Sequence, residues 1–287
     1  MSSVRNDRGN AAVYMVAAVL IALLVGLLSL HFTQKRHNHL PYDVQAAYPP
    51  DKQLVGGEAF ASTAAALIDH ELHGGSGWRP NDFFLWGMTL GPDNNANRQL
   101  GIIQALRESV RIFKDHLTKI SSNEYDANLV AADLTLRNDE YKFMLPSAES
   151  KFEDGMQALR KYVSGLEQTP PKSKPLNRRN IELIRLFQQW SDQLGDAHAN
   201  LFKETEPDGS GVAAWHTDNY FYHAQGMAHV MHHLTKAIRR EYEKELASRP
   251  GLLQVFDEVI AALGRGAELK PLVVIDGGPD NIFANHR

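Results

Sequence analysis

Residues 11–32, AAVYMVAAVLIALLVGLLSLHF, constrain this chain more than any other stretch, because the twenty residues from Ala11 to Leu30 carry no charge. As a helix rising about 1.5 Å per residue, they cover the roughly 30 Å hydrocarbon core of a bilayer. A cleaved signal peptide has an apolar stretch of about 7–15 residues and then a small-x-small cleavage site. This run is longer and leads into Leu30-His31-Phe32-Thr33. It reads as an uncleaved anchor. No later segment matches it, so a single crossing is expected.

The flanks nearly tie by the positive-inside rule: Arg5 and Arg8 against Asp7 before the run, Lys35 and Arg36 after it. A ten-residue tail beside a far larger C-terminal body fits a signal anchor, with residues 1–10 cytoplasmic and the body outside a bacterial inner membrane. Ala18, Ala22 and Gly26 recur every fourth residue, a spacing that lets a second membrane helix approach closely.

Residues 1–37 hold four basic residues and one acidic one. Taking that +3 from the formal charge of -4 leaves -7 for the body. Such a body has no electrostatic footprint for nucleic acid and little attraction to an anionic lipid surface. The absence of cysteine removes disulfides and thiolate chemistry but names no compartment.

Residues 33–56, with Pro41, Pro49, Pro50 and the Gly56-Gly57 pair just beyond, read as a tether. After them the apolar spacing is helical almost throughout. Helices are expected over 58–73, 97–120, 124–137, 147–165, 178–203, 218–247 and 251–264, then a short extended piece at 272–275. Ile103, Leu106, Val110, Phe113, Leu117 and Ile120 follow a 3-4 spacing, a heptad-like seam that could face a partner. Residues 167–177 contain Pro170, Pro171 and Pro175 and read as a linker. The expected body is therefore mainly α: a first helical layer over 57–166 and a second over 178–287.

Four histidines fall within YHAQGMAHVMHH, residues 222–233. At 100° per residue, Met227, Val230, Met231, Leu234 and Ile238 define the apolar face and His223 lies on it. His229, His232 and His233 fall on the opposite half, so the four cannot converge. His229 and His233, at i,i+4, could share a zinc ion with a ligand from elsewhere, such as His198, His70 or His73. A solvated histidine face is the plainer expectation.

Glu71 lies inside the apolar arc of the first helix, where a carboxylate must be paired or carry a raised pKa. A buried ion pair with Arg79 is expected, and a general acid or base role is the alternative. Trp78, Phe83, Phe84, Trp86 and Met88 make an aromatic segment suited to filling a core or plugging a partner's groove. No nucleophile elbow, phosphate loop or dinucleotide fingerprint is found.

The runs Gly77-Trp78-Arg79-Pro80-Asn81-Asp82, Gln99-Leu100-Gly101 and Asn219-Tyr220-Phe221-Tyr222-His223-Ala224-Gln225-Gly226 resemble a bacterial family of single-pass envelope proteins, the domain of unknown function numbered 2333. The resemblance implies an inner-membrane protein with a helical body. It brings no catalytic residues. It suggests a shared role for Trp78, Asn81, Asp82, Tyr222 and Gly226, such as a packed junction between the layers.

The leading expectation is a non-catalytic, membrane-anchored scaffold or accessory subunit with protein partners, a homo-oligomer included, and no cofactor. The alternatives are a zinc-dependent hydrolase using His229 and His233, and a binding module whose cleft is lined by Glu71, Trp78, Arg79 and His223.

Overall fold

The structure, a computed structural model, describes residues 3–36, 40, 42–75, 77–81, 93–118, 124–178, 180–271 and 274. Its N-terminal helix α1, Ser3–Arg36, contains the apolar stretch Ala11–Ser29, which is long and apolar enough to cross a membrane. None of that stretch is buried against the rest of the chain. A side chain added at Gly26 would meet no atom within 4 Å.

The body holds α2 (Val44–Ala47), α3 (Glu58–His73), α4 (Asn94–Ile112), α5 (Ala127–Leu136), α6 (Ala148–Leu166), α7 (Asn180–Leu201), α8 (Ala214–Glu241), α9 (Glu243–Ala247) and α10 (Pro250–Ala267). Helix α4 continues into one π-helical turn at Phe113–Leu117. Local chemistry starts several of them. Asp126 caps α5 by accepting from the backbone N–H groups of Asn128 and Leu129, and Ser147 caps α6 through Ser150 N. Helix α3 starts after Gly57, which has no side chain to cap with. Its cap comes from far along the chain instead: Ala59 N donates to Glu241 Oε1 at 2.8 Å. The Glu241 carboxyl is pushed up by burial, while the backbone donors of α3 draw it down.

These contacts fix the helix directions. Glu71 at the end of α3 meets Arg98 at the start of α4, whereas Phe60 near the start of α3 stacks on Phe113 at 4.4 Å. Glu241 at the end of α8 meets the start of α3. So α4 and α8 run parallel to each other and antiparallel to α3. Helix α7 opposes α4, with Trp190 Nε1 donating to Ser109 Oγ at 2.9 Å and Asn200 facing Asn97. Helix α10 lies antiparallel along the outer side of α8, joined by Arg239 to Asp257 at 2.6 Å and by His232 Nδ1 to Ile260 O at 2.8 Å.

Three sequence expectations change here. The heptad-like seam is not a partner surface: Ile103, Leu106, Val110, Phe113 and Leu117 are all buried in the main core, and Ile120 lies outside the described residues. The core does not divide at the proline segment either, since one cluster joins Phe60, Leu106 and Phe152 to Trp190, Met231 and Phe256. The supposed tether is packed in its second half. Val44 and Tyr48 are buried against Ala59 and Ala237, and Leu40 packs on the main core. Arg240 holds the strand of chain by donating to Tyr48 O and Pro49 O at 2.7 Å and to Lys52 O at 2.6 Å. Isolated apolar residues among prolines leave no periodic signal, so the sequence could not show this docking.

Helices α4 and α8 approach closely through glycine. A Cβ at Gly226 would lie 2.0 Å from Arg98 O, and one at Gly101 would lie 2.0 Å from His223 O. Either contact forces the two backbones apart, so Gly226→Ala and Gly101→Ala should each destabilise by about 1–3 kcal/mol, as overpacking does. Urea unfolding reads the effect, and an unchanged midpoint would contradict it.

Candidate functional site

Two polar regions stand out, one sealed and one open. The sealed one gathers around Glu71, whose side chain is only 5 % exposed. The residue that neutralises it is Arg98, not Arg79: Arg98 Nη2 donates to Glu71 Oε1 at 2.8 Å, and Gln99 Nε2 donates to Oε2 at 3.0 Å. Gln99 then stitches in the following loop, giving a hydrogen bond to Gly77 O and taking one from Arg79 N at 2.9 Å. Arg79 is thus tied to the same network through its backbone. Trp78 is buried, packs edge-on to Phe152 and donates from Nε1 to Glu140 O at 2.9 Å. Asn81 Nδ2 reaches Lys142 O and Glu149 Oε2 at 3.0 and 2.8 Å. Asp82, Phe83, Phe84, Trp86 and Met88 lie outside the described residues.

The histidines overturn the wheel argument. His229 is 5 % exposed and His233 is half-buried, with their ring centroids 4.7 Å apart. The wheel recognised one apolar face. Helix α8 is enclosed on a second side: α10 covers His232, whose Nδ1 lies 2.8 Å from Ile260 O, while His229 is buried where the charge of Arg98 on α4 reaches it. Burial holds both rings neutral: His229 is pushed far down by burial and then by Arg98, and His233 is pushed down to about 3 by burial and then by His232. His229 Nε2 and His233 Nδ1 have no hydrogen-bond partner. Among the described residues, no three His, Asp or Glu side chains are placed to hold a metal ion. His198, the distant ligand considered, is exposed against Phe202, and His73 bonds Asp69 Oδ1 at 2.8 Å.

His223, expected in the core, instead lines an open cleft with Asn97, Gln104, Asn200, Asn219 and Tyr220. The starts of α4 and α8 and the end of α7 converge there, enclosing about 430 Å³. Asn97 Nδ2 donates to Asn219 Oδ1 at 2.9 Å across the helix pair. His216 stands at the rim, 3.7 Å from Glu206 Oε1, and Glu206 also accepts from Tyr220 Oη at 3.0 Å. Nearby, Asp218 is pushed up to about 6 by burial and by the charge of Asp93. Burial likewise raises Asp93. Asp93→Asn should therefore bring the Asp218 titration back towards the ordinary carboxylate range. Carboxyl carbon NMR would show it, and an unmoved midpoint would mean that Asp93 has no influence.

Tyr222 turns the other way, packing with Phe221 and Val274 in a small separate cluster. The structure thus divides the sequence's site residues. Glu71, Trp78, Arg79 and Asn81 join one sealed network, while His223 belongs to the open cleft. Gly226 serves the helix crossing. Sequence reasoning missed Arg98, Asn97, Gln104, Asn200 and Glu241. The only signal near them was the quoted runs, which hold Gln99, Gly101, Asn219 and Tyr220.

The chain thus combines one N-terminal helix long and apolar enough to cross a membrane, a packed all-α body and a polar cleft between helix ends. The chain belongs to the DUF2333 family, described as uncharacterized protein conserved in bacteria, whose model matches residues 5–207. That match includes α1 and the first two quoted runs, while the run at 219–226 lies beyond it. No curated protein and no solved structure matches the chain.

Proposed function

We propose that the protein is a binding module of the bacterial cell envelope, anchored once in the inner membrane by α1. Residues 1–10 are then cytoplasmic and the helical body is periplasmic. The observation that carries the binding reading is the contrast between the two polar regions. Glu71, Arg98 and His229, the groups with the most chemistry, are shut into the core, whereas the open cleft is lined largely by neutral amide, imidazole and phenol groups. Such a lining suits a polar ligand rich in hydroxyl and amide groups, such as a glycan fragment, held by hydrogen bonds. The cleft also lies at the end of the bundle away from the docked tether. From Tyr220 to Tyr242, twenty-two residues of helix put about 33 Å between the two ends.

Two measurements test this. Alkaline phosphatase fused after Arg287 should be active and β-galactosidase inactive; the reverse pattern would refute the periplasmic placement. Full-length protein in detergent should bind glycan fragments, with at least tenfold loss in Asn219→Ala and in His223→Ala. Binding that ignores both substitutions would remove the cleft from the function.

A scaffold role is the second reading, favoured by α1 itself. Its stripe of Ala18, Ala22 and Gly26 makes no contact with the body, leaving that face free for lipid or for another helix. Gly26→Leu should then remove a membrane partner recovered with the wild type in mild detergent; recovery at wild-type level would exclude this stripe as its docking site.

A further inference from the structure

The bundle end that carries the tether also carries an apolar hollow of about 730 Å³ between the starts of α7 and α10 and the short helix α9. Leu183, Phe187, Leu246, Leu252 and Phe256 form its apolar walls. That volume lies in the range of small-molecule sites. Its rim is charged, with Arg178 and Arg249 beside Glu245. Two buried atoms of these side chains, Arg178 Nε and Glu245 Oε2, have no hydrogen-bond partner. One is a cationic donor and the other an anionic acceptor.

The position of this groove is bounded by the covalent chain. Leu40 packs on the body four residues after Arg36, a reach of at most about 14 Å. Helix α1 runs seven residues past Ser29, which adds about 10 Å. Leu40 therefore lies within about 25 Å of the end of the apolar stretch, and the docked segment runs on from it to the end of the body that carries the groove. Arg178 belongs to that end, since its Nη2 donates to Leu54 O at 3.5 Å.

We propose that this groove holds one acyl chain of a zwitterionic phospholipid of the phosphatidylethanolamine type, drawn from the membrane to which the protein is anchored. The chain lies against Phe187, Leu252 and Phe256. The phosphate is bound by Arg178 and Arg249, and the ammonium by Glu245. The charge pattern makes this choice: two guanidiniums alone would favour an anionic lipid, and the carboxylate beside them selects a head group that also bears a cation. The proposal rests on the anchored reading above only for the source of the lipid.

The test is native mass spectrometry of the full-length protein in maltoside micelles, offered equal amounts of phosphatidylethanolamine and phosphatidylglycerol. The expected result is one phosphatidylethanolamine per chain, preferred by at least fivefold. Glu245→Gln should bring that preference close to one while lipid still binds. Arg178→Gln/Arg249→Gln should reduce binding of both lipids, and Leu252→Glu should abolish it with the fold intact by circular dichroism. Lipid adducts that none of these substitutions changes would belong to α1 and would overturn the proposal. So would a dimer mass with no lipid, which would give the groove to a second copy of the chain. Micelle binding does not depend on insertion in cells, so failure of the phosphatase fusion and failure here are separate results.

Discussion

Glu71→Ala should cost the body about 3–5 kcal/mol, because it leaves the Arg98 guanidinium buried without its counter-charge. Arg98 is only 3 % exposed, and Asn95 Oδ1 at 3.3 Å remains as a neutral acceptor. The substitution also removes the acceptor of Gln99 Nε2 and so loosens the loop that Gln99 holds through Gly77 and Arg79. Most of the loss is the desolvation of a charge left alone, not the attraction of the pair. The double variant Glu71→Leu/Arg98→Met should therefore regain much of the stability that the single variant loses. Urea unfolding of the two variants and the wild type decides it. A double variant no more stable than Glu71→Ala would show that the pair itself, rather than avoidance of a lone charge, holds this corner.

Acidification from pH 7 to pH 5 should destabilise the protein through His229 and His233. Both rings have folded pKa values below the unfolded value of about 6.5. The unfolded chain then binds more protons than the folded one below that pH. The stabilisation they give is complete above about pH 6.5 and is lost as the pH falls towards their folded values. With His233 at about 3 in the folded state, linkage gives about 2 kcal/mol lost through that ring at pH 5, and His229 acts in the same direction. That loss is already a sizeable share of the roughly 5–15 kcal/mol typical of a domain. Asp218 and Glu241, whose carboxyls are raised, act in the opposite direction. The clean measurement is thus a comparison: unfolding free energy at pH 7 and pH 5 for the wild type and for His229→Gln/His233→Gln. The variant should show a markedly smaller loss on acidification. Equal losses would mean that the rings are protonated in the fold without penalty.

Much of the architecture could be read along the chain because it rests on local periodicity. The 3-4 spacing of Ile103 to Leu117 located α4 and its buried side, and the same spacing over Leu183 to Leu201 located α7. Glu71 was recognisable as a carboxylate inside an apolar arc. Among the residues given a shared role, Gly226 lies at a helix crossing, where Gly101 meets it from α4.

The sequence by itself determined the long apolar N-terminal helix, the helix order and the need to neutralise a buried carboxylate, since each depends on neighbours within a few turns. Tertiary structure alone decided that Arg98 rather than Arg79 meets Glu71. It also decided that His229 is buried within reach of Arg98 and that Arg240 docks residues 48–52. The cleft at Asn97 and Asn219 and the groove at Phe187 and Phe256 are of the same kind. The docked segment, the cleft and the groove each join residues more than sixty positions apart, and no periodicity along a chain records which face of a helix a distant helix will cover.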